Sequence, residues 1–256
     1  MLEITNLTKH FGGLAAVVDL DLSIIQGEIF GIIGPNGAGK STILNMIDGS
    51  LRPTKGKIIF KGGETTNLAP HRRARGGIAR VFQSNIVFSD VSVMTNIRIG
   101  FHIHSGIGFW TSFFGVKKSI SRQERLLSEK AEEILEFVGL HEEREKEATS
   151  LPHASQRKLC LAIALALDPT LLLLDEPLAG MTAEEVASML TVVRGLREKK
   201  GITSIIVEHN MKAIMRLCDR IAVINYGKKI AEGPPREISK NPEVIEAYLG
   251  APEHAI

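Results

Sequence analysis

Glu28-Ile29-Phe30-Gly31-Ile32-Ile33 runs without a break into Gly34-Pro35-Asn36-Gly37-Ala38-Gly39-Lys40-Ser41. The first six residues form a short apolar run with no polar alternation, the pattern of a central strand buried on both faces. The next eight fit G-x-x-x-x-G-K-[ST], and a helix-like stretch follows from Lys40. Strand, glycine-rich loop and helix in that order predict a cradle for phosphate. Gly34, Gly37 and Gly39 let successive backbone N–H groups turn inward, with Pro35, Asn36 and Ala38 completing the loop. The N-terminus of the following helix adds a favourable dipole. Lys40 is expected on the β- and γ-phosphates of ATP, Ser41 on Mg²⁺, and Thr42 beside them.

Working outward, the buried-strand pattern recurs at Ile78 to Phe82, Leu171 to Leu174, Ile202 to Val207 and Ile221 to Ile224. Helical periodicity lies between several of them, as in Val186, Met189, Leu190, Val193 and Leu196. Alternating strands and helices imply an α/β fold with a mostly parallel sheet of the P-loop (RecA-like) type. Near the start, Val18, Leu20, Leu22 and Ile24 alternate with Asp19, Asp21 and Ser23, which predicts a half-exposed, antiparallel β-subdomain ending at Gln26-Gly27. From Ser84 to Ser150 the strand pattern stops. Leu127, Ala131, Ile134, Leu135 and Val138 make an amphipathic stripe there, so residues 84–156 are expected to be a helical subdomain inserted into a core of residues 1–83 and 157–256. Within it, Phe101 to Val116 is nearly uncharged and carries Phe101, Phe109, Trp110, Phe113 and Phe114, as a docking surface or as the insertion's own core. The charge run Glu142 to Glu147 reads as a solvated face.

Composition narrows the partners. Of 256 residues, 44% are hydrophobic and 23% charged, which excludes a disordered or collagenous chain. With 31 basic against 29 acidic residues there is no charge excess to bind nucleic acid. Cys160 and Cys218 lack the spaced companions of a zinc site and are expected to be reduced core residues. Met1-Leu2-Glu3-Ile4 lacks the basic and apolar regions of a signal peptide, and the longest apolar run, Leu159 to Leu167, is too short to span a bilayer. A cytoplasmic chain is expected.

Leu171-Leu172-Leu173-Leu174-Asp175-Glu176 supplies the second half of the chemistry. Four apolar residues bury a strand that delivers two carboxylates at its C-terminal end, expected beside the phosphate loop. Asp175 is placed in the Mg²⁺ shell and Glu176 on the attacking water. From here the chain resembles the ATP-binding subunits of ABC transporters, over Leu2 to about Gly250. The resemblance implies that Phe11, in Thr8-Lys9-His10-Phe11-Gly12-Gly13, stacks on adenine, with a core aromatic as the alternative. It implies that Gln83, in Val81-Phe82-Gln83, reaches the Mg²⁺ and the water and senses a membrane partner. It also implies that His209, in Ile205-Ile206-Val207-Glu208-His209, contacts the γ-phosphate.

Two departures from the family pattern stand out. The signature, usually L-S-G-G-Q, here reads Leu151-Pro152-His153-Ala154-Ser155, just before a helix expected to start near Gln156. Leu-Pro-His openings occur in the amino-acid importer branch, but a Cβ at Ala154 is expected to hinder close approach of its N–H to a phosphate. Thr182 stands where the family's D-loop usually ends in aspartate. Since the family pairs each phosphate loop with the partner's signature, Pro152, His153, Ala154 and Ser155 would serve the partner's ATP. A heterodimer with a second ATP-binding subunit is therefore expected, a homodimer being the alternative.

Within the family the chain most resembles the larger ATP-binding subunit of bacterial high-affinity branched-chain amino-acid importers. Three stretches carry this: Phe11 to Val17, Phe101 to Phe114, and Asn241-Pro242-Glu243-Val244-Ile245-Glu246-Ala247-Tyr248-Leu249-Gly250. The last reads as a helix with Asn241 as N-cap, Pro242 at its first position and Gly250 at its stop. The resemblance implies two transmembrane permease subunits, a periplasmic substrate-binding protein, and a peripheral place on the cytoplasmic face of the inner membrane. Lipid, lipopolysaccharide, urea and amide transport ATPases share every nucleotide motif and stay open as alternatives. So, more remotely, does a soluble ABC ATPase.

Overall fold

The computed structural model describes residues 1–84, 87–105 and 117–249. Among these residues, ten strands form two sheets: β1 (Leu2–Phe11), β2 (Leu14–Ile24), β3 (Ile29–Ile33), β4 (Lys55–Phe60), β5 (Gly63–Glu64), β6 (Ile78–Val81), β7 (Leu171–Asp175), β8 (Thr203–Val207), β9 (Arg220–Asn225) and β10 (Lys228–Gly233). The larger sheet has the order β10-β9-β3-β8-β7-β6. Its strands run parallel except β10, which pairs antiparallel with β9. The smaller sheet, β2-β1-β4-β5, is antiparallel throughout.

The uninterrupted apolar strands follow from burial on both faces. On β3, Phe30 and Ile32 point into the core shared with the small sheet, while Ile29 and Ile33 point into the core shared with the helical insertion. On β7, Leu171 and Leu173 face the first core and Leu172 and Leu174 the second. Every position of β3, β7 and β8 is buried, so apolar residues fill both sides of the pleat and the polar ones, Asp175, Thr203 and Ser204, stand only at strand ends. Where one face is wet, as on β2, the alternation returns at Leu20, Leu22 and Ile24.

Val18 breaks that alternation. It is half-buried and Val17 is buried in its place, because Asp19 adopts a positive φ of 44° and the β1–β2 register shifts nearby. Thr8 pins the irregularity, its hydroxyl donating to Asp19 Oδ1 at 3.1 Å and accepting from Asp19 N at 3.0 Å. The bulge moves one residue across the sheet without changing the strand.

Helix Lys40–Asp48 follows β3, and helices Val93–Ser105, Lys117–Val138 and His153–Leu165 build the insertion. Ala131, Ile134, Leu135 and Val138 are buried as the stripe predicts. Helix His153–Leu165 crosses the expected subdomain boundary at residue 156 and starts three residues before Gln156. Pro152 explains the early start: its fixed φ of −54° suits the residue entering a helix. Phe101 packs partly buried against the core, while Phe109, Trp110, Phe113 and Phe114 lie outside the described residues. Glu142 and the stretch 145–147 are exposed, as a solvated run should be. Cys160 and Cys218 are buried, and among the described residues no disulfide joins them. Burial pushes the Cys218 thiol far above its usual range.

Arg73 is a buried charge that the sequence pattern did not single out. It is 2% exposed and donates to Met46 O (2.6 Å), Ile47 O (2.7 Å), Thr66 O (2.8 Å) and Leu68 O (3.1 Å). Two of these are carbonyls at the C-terminal end of helix Lys40–Asp48, where the macrodipole favours a cation. Arg73→Ala is expected to lower unfolding stability by about 3 kcal/mol, read from the urea midpoint, because several buried carbonyls lose a charged donor together. A loss below about 0.5 kcal/mol, the size of an ordinary surface substitution, would show that water satisfies those carbonyls.

Candidate active site

The parallel sheet brings four strand ends to one edge. The phosphate loop leaves β3, the chain to His209 leaves β8, Asp175 ends β7, and the chain to Gln83 leaves β6. Strand β8 pairs between the loop strand β3 and the carboxylate strand β7. Glu176 and His209 therefore meet across adjacent strands, and Lys40 lies close enough to Glu176 and Asp175 for their charges to act on it.

The loop is rigid for steric reasons. Gly34 carries a φ of 155°, and a Cβ there would lie 2.0 Å from Ile224 O; Gly39 carries a φ of 105°, with Ala16 O at 2.4 Å. No L side chain fits either position. Gly39 also precedes helix Lys40–Asp48 without any side-chain cap, so the first-turn N–H groups, including those of Ser41 and Thr42, stay available to a ligand. Lys40 is buried and donates to Gly34 O (2.8 Å) and Pro35 O (2.9 Å), arching over the loop. Burial lowers its pKa, and the nearby Glu176 and Asp175 carboxylates oppose that shift. Asn36, Gly37 and Ser41 are exposed at the rim and Ala38 is buried beneath it.

Glu176 is the centre of the site. Its Oε2 accepts from Gln83 Nε2 at 2.6 Å, and its Oε1 lies 3.0 Å from His209 Nε2. Three residues read from three separate motifs thus form one hydrogen-bonded group. Glu176 adopts a positive φ of 49°, and its N–H donates to Val207 O at 2.9 Å, which ties the turn after β7 to β8. Such backbone is costly for a non-glycine residue, and here it aims the carboxylate at the shared edge.

Phe11 sits at the end of β1, 48% exposed, with Lys9 Nζ 5.2 Å from its ring centroid. It is not a core aromatic. Its open face is available for stacking on a planar base.

The signature segment is already helical. Pro152 is the N-cap of helix His153–Leu165, and the first bond of that helix runs from Gln156 N to Pro152 O at 3.0 Å. The N–H groups of His153, Ala154 and Ser155 precede it and have no intrahelical acceptor. Ala154 is buried, so the fold accommodates its methyl group instead of presenting it at the surface. Thr182 has a structural task of its own: with Glu185 it forms a capping box, the Thr182 side chain accepting from Glu185 N and the Glu185 carboxylate accepting from Thr182 N at 2.8 Å.

Sequence reasoning missed two charged residues. Arg80, on β6, donates to Asp175 Oδ2 at 2.7 Å. Glu208, 3% exposed, accepts from Leu178 N at 2.6 Å and from His209 N at 3.0 Å. Burial raises the Glu208 pKa, and those N–H donors, with Asn210, offset part of the rise. It joins the loop after Glu176 to the histidine that faces Glu176. Its only sequence signal is a carboxylate ending an otherwise apolar strand.

Residues 17–179 match the family described as ABC transporter. The chain belongs to the ABC transporter ATP-binding family. Its last part, residues 228–254, matches the family described as branched-chain amino acid ATP-binding cassette transporter. The chain is 37% identical to the high-affinity branched-chain amino acid transport ATP-binding protein BraF of Pseudomonas aeruginosa, over 98% of both chains. It is 35% identical to LivG of Escherichia coli K12, again over 98% of both. A probable LivG of Archaeoglobus fulgidus is 36% identical over 100% of this chain and 98% of its own. Among solved structures, a nucleotide-free ATP-binding cassette from an ABC transporter superposes with a TM-score of 0.85 at 32% identity, covering 98% of this chain and 99% of the other. The ADP conformation of a cassette gives 0.84 at 31%, with the same coverage. This ABC cassette thus belongs to a family of ATPases that hydrolyse ATP to power transport.

Glu208→Gln is expected to place an amide N–H₂ against backbone donors, costing about 1–3 kcal/mol of stability. Because Glu208 makes no hydrogen bond to the phosphate loop, nucleotide affinity measured by fluorescence titration should stay unchanged while turnover falls. Gly39→Ala should do the reverse, abolishing nucleotide binding in a folded protein.

Proposed function

We propose that this chain is the ATP-hydrolysing motor subunit of an importer for branched-chain or similar hydrophobic amino acids. The observation that carries the hydrolytic part is the Glu176 carboxylate, held between Gln83 and His209 at the sheet edge that also bears the phosphate loop. The relatives' names and the match of residues 228–254 support the cargo class.

The residues divide the work. Phe11 stacks on the adenine. The loop N–H groups and Lys40 hold the phosphates, and the Lys40 ammonium exchanges its two carbonyl acceptors for phosphate oxygens. Glu176 accepts a proton from the attacking water as the γ-phosphorus–oxygen bond breaks, and Gln83 and His209 fix the orientation of its carboxylate. His209 also reaches the γ-phosphate. The donor set fits Mg²⁺: Ser41, Asp175 and Gln83 offer only oxygen ligands, too few to complete an octahedron without water and phosphate. When bound, Mg²⁺ neutralises charge developing on the phosphate oxygens. ADP and phosphate leave, and no covalent intermediate forms.

Dimerisation supplies the second half of each site. His153, Ala154 and Ser155 would present their N–H groups to the nucleotide on the partner's loop. The altered signature favours a second, different ATP-binding subunit as that partner. The permease pair would meet the surface beside Gln83, where Phe82 and Phe88 stand 41% and 49% exposed. Among the described residues no helix is long and apolar enough to cross a membrane. The relatives' names, transport ATP-binding proteins, support a peripheral subunit docked on the permeases from the cytoplasmic side.

The test is steady-state phosphate release by the purified chain, alone and mixed with the second cassette of its own transporter. Strong activity only in the mixture supports the heterodimer, and equal activity alone restores the homodimer. Glu176→Gln should lower turnover by about 100-fold or more while retaining ATP, and Lys40→Ala should weaken nucleotide binding by about tenfold or more. Undiminished turnover in Glu176→Gln would remove Glu176 from the mechanism. Vesicles carrying the permease pair and a binding protein should take up leucine only when ATP is present on the cassette side.

A further inference from the structure

Arg80 lies three residues before Gln83 on the strand that leads to it, and its side chain is 6% exposed. Its guanidinium is shared by three acceptors. Nη2 donates to Asp175 Oδ2 at 2.7 Å, and Nη1 donates to Asp48 Oδ2 at 2.5 Å and to Asn45 Oδ1 at 2.6 Å. Asp48 and Asn45 both stand on helix Lys40–Asp48, which follows the phosphate loop. The Arg80 guanidinium carbon lies 4.7 Å from the centroid of the Phe82 ring. The buried Nε has no partner, so this side chain sits where its charge is needed at some cost in desolvation.

The bond to Asp175 engages Oδ2. The charges around that carboxylate are Lys40, Arg80, Asp48 and Glu176. We propose that Arg80 is a positioning residue and a resident counter-cation for Asp175, which fixes the carboxylate and holds down the affinity of the nucleotide-loaded site for Mg²⁺. A fixed positive charge in direct contact with a metal-binding carboxylate repels a divalent ion in a site of low dielectric. Arg80 divides its charge between Asp175 and Asp48, so Asp48 tunes how much repulsion remains. This rests on the reading that Asp175 belongs to the Mg²⁺ shell.

Mg²⁺ is titrated into the purified chain holding a fluorescent, non-hydrolysable ATP analogue, and nucleotide affinity in EDTA is recorded for every variant. Arg80→Gln should lower the half-saturating Mg²⁺ concentration by about fivefold or more, with EDTA affinity unchanged. Arg80→Lys, which keeps the charge, should stay within about twofold of the parent chain. Asp48→Asn should move the value the opposite way, upward, because Arg80 then answers to Asp175 alone. A merely structural role would not reverse sign between Arg80→Gln and Asp48→Asn. An unchanged or raised value in folded Arg80→Gln overturns the inference. Should Arg80→Gln lose its fold, Asp48→Asn decides, and an unchanged or lowered value there overturns it. A parent chain whose nucleotide affinity ignores Mg²⁺ altogether overturns the metal reading of Asp175 itself.

Discussion

The parallel pairing of β3, β8, β7 and β6 is the constraint from which the rest follows. A parallel sheet sends every strand end to the same edge, so residues more than a hundred positions apart in sequence become neighbours there. Burial of both faces fixes the register, since a slip of one residue would exchange the two cores. Glu176 is held by hydrogen bonds from the ends of two different strands, which the chain could not arrange locally.

That arrangement also explains where charge is tolerated. Lys40, Asp175, Glu208 and Arg80 are all buried or nearly so, and each is hydrogen-bonded to a charged or backbone partner at the same edge. A buried charge persists when its partners are supplied, and strand ends supply them as carbonyls and N–H groups left over from pairing. The site is thus a cluster of mutually compensated charges, which an incoming phosphate and metal ion would rearrange without having to create.

Much of this was legible in the sequence. The phosphate loop, the acidic pair ending β7 and the histidine after β8 each follow an apolar run that reads only as a buried strand, so their meeting at one edge is a consequence of class. Helix Pro242–Leu249 was legible from its cap, and Asn241 Oδ1 does accept from Glu243 N at 2.9 Å. Strand order was not legible, because apolar runs carry no record of their neighbours; β8 between β3 and β7 came from the structure. The shift from Val18 to Val17 depends on one positive φ at Asp19, which no hydrophobic pattern encodes. Arg80, Arg73 and Glu208 were hidden for a common reason: a charged residue in a sequence reads as surface until tertiary contacts supply its partners. The early start of helix His153–Leu165 and the burial of Ala154 were not legible either, since both follow from how Pro152 enters the helix and from what packs around it.

In the proposed mechanism, water activated by Glu176 attacks the γ-phosphorus of ATP held on the Gly34–Ser41 loop. Hydrolysis in ¹⁸O-enriched water, with mass analysis of both products, addresses this directly. The label should enter inorganic phosphate and leave ADP unlabelled, and the labelled phosphate should vanish in the Glu176→Gln chain. Label in ADP, or label in phosphate formed at the parent rate by Glu176→Gln, would contradict it.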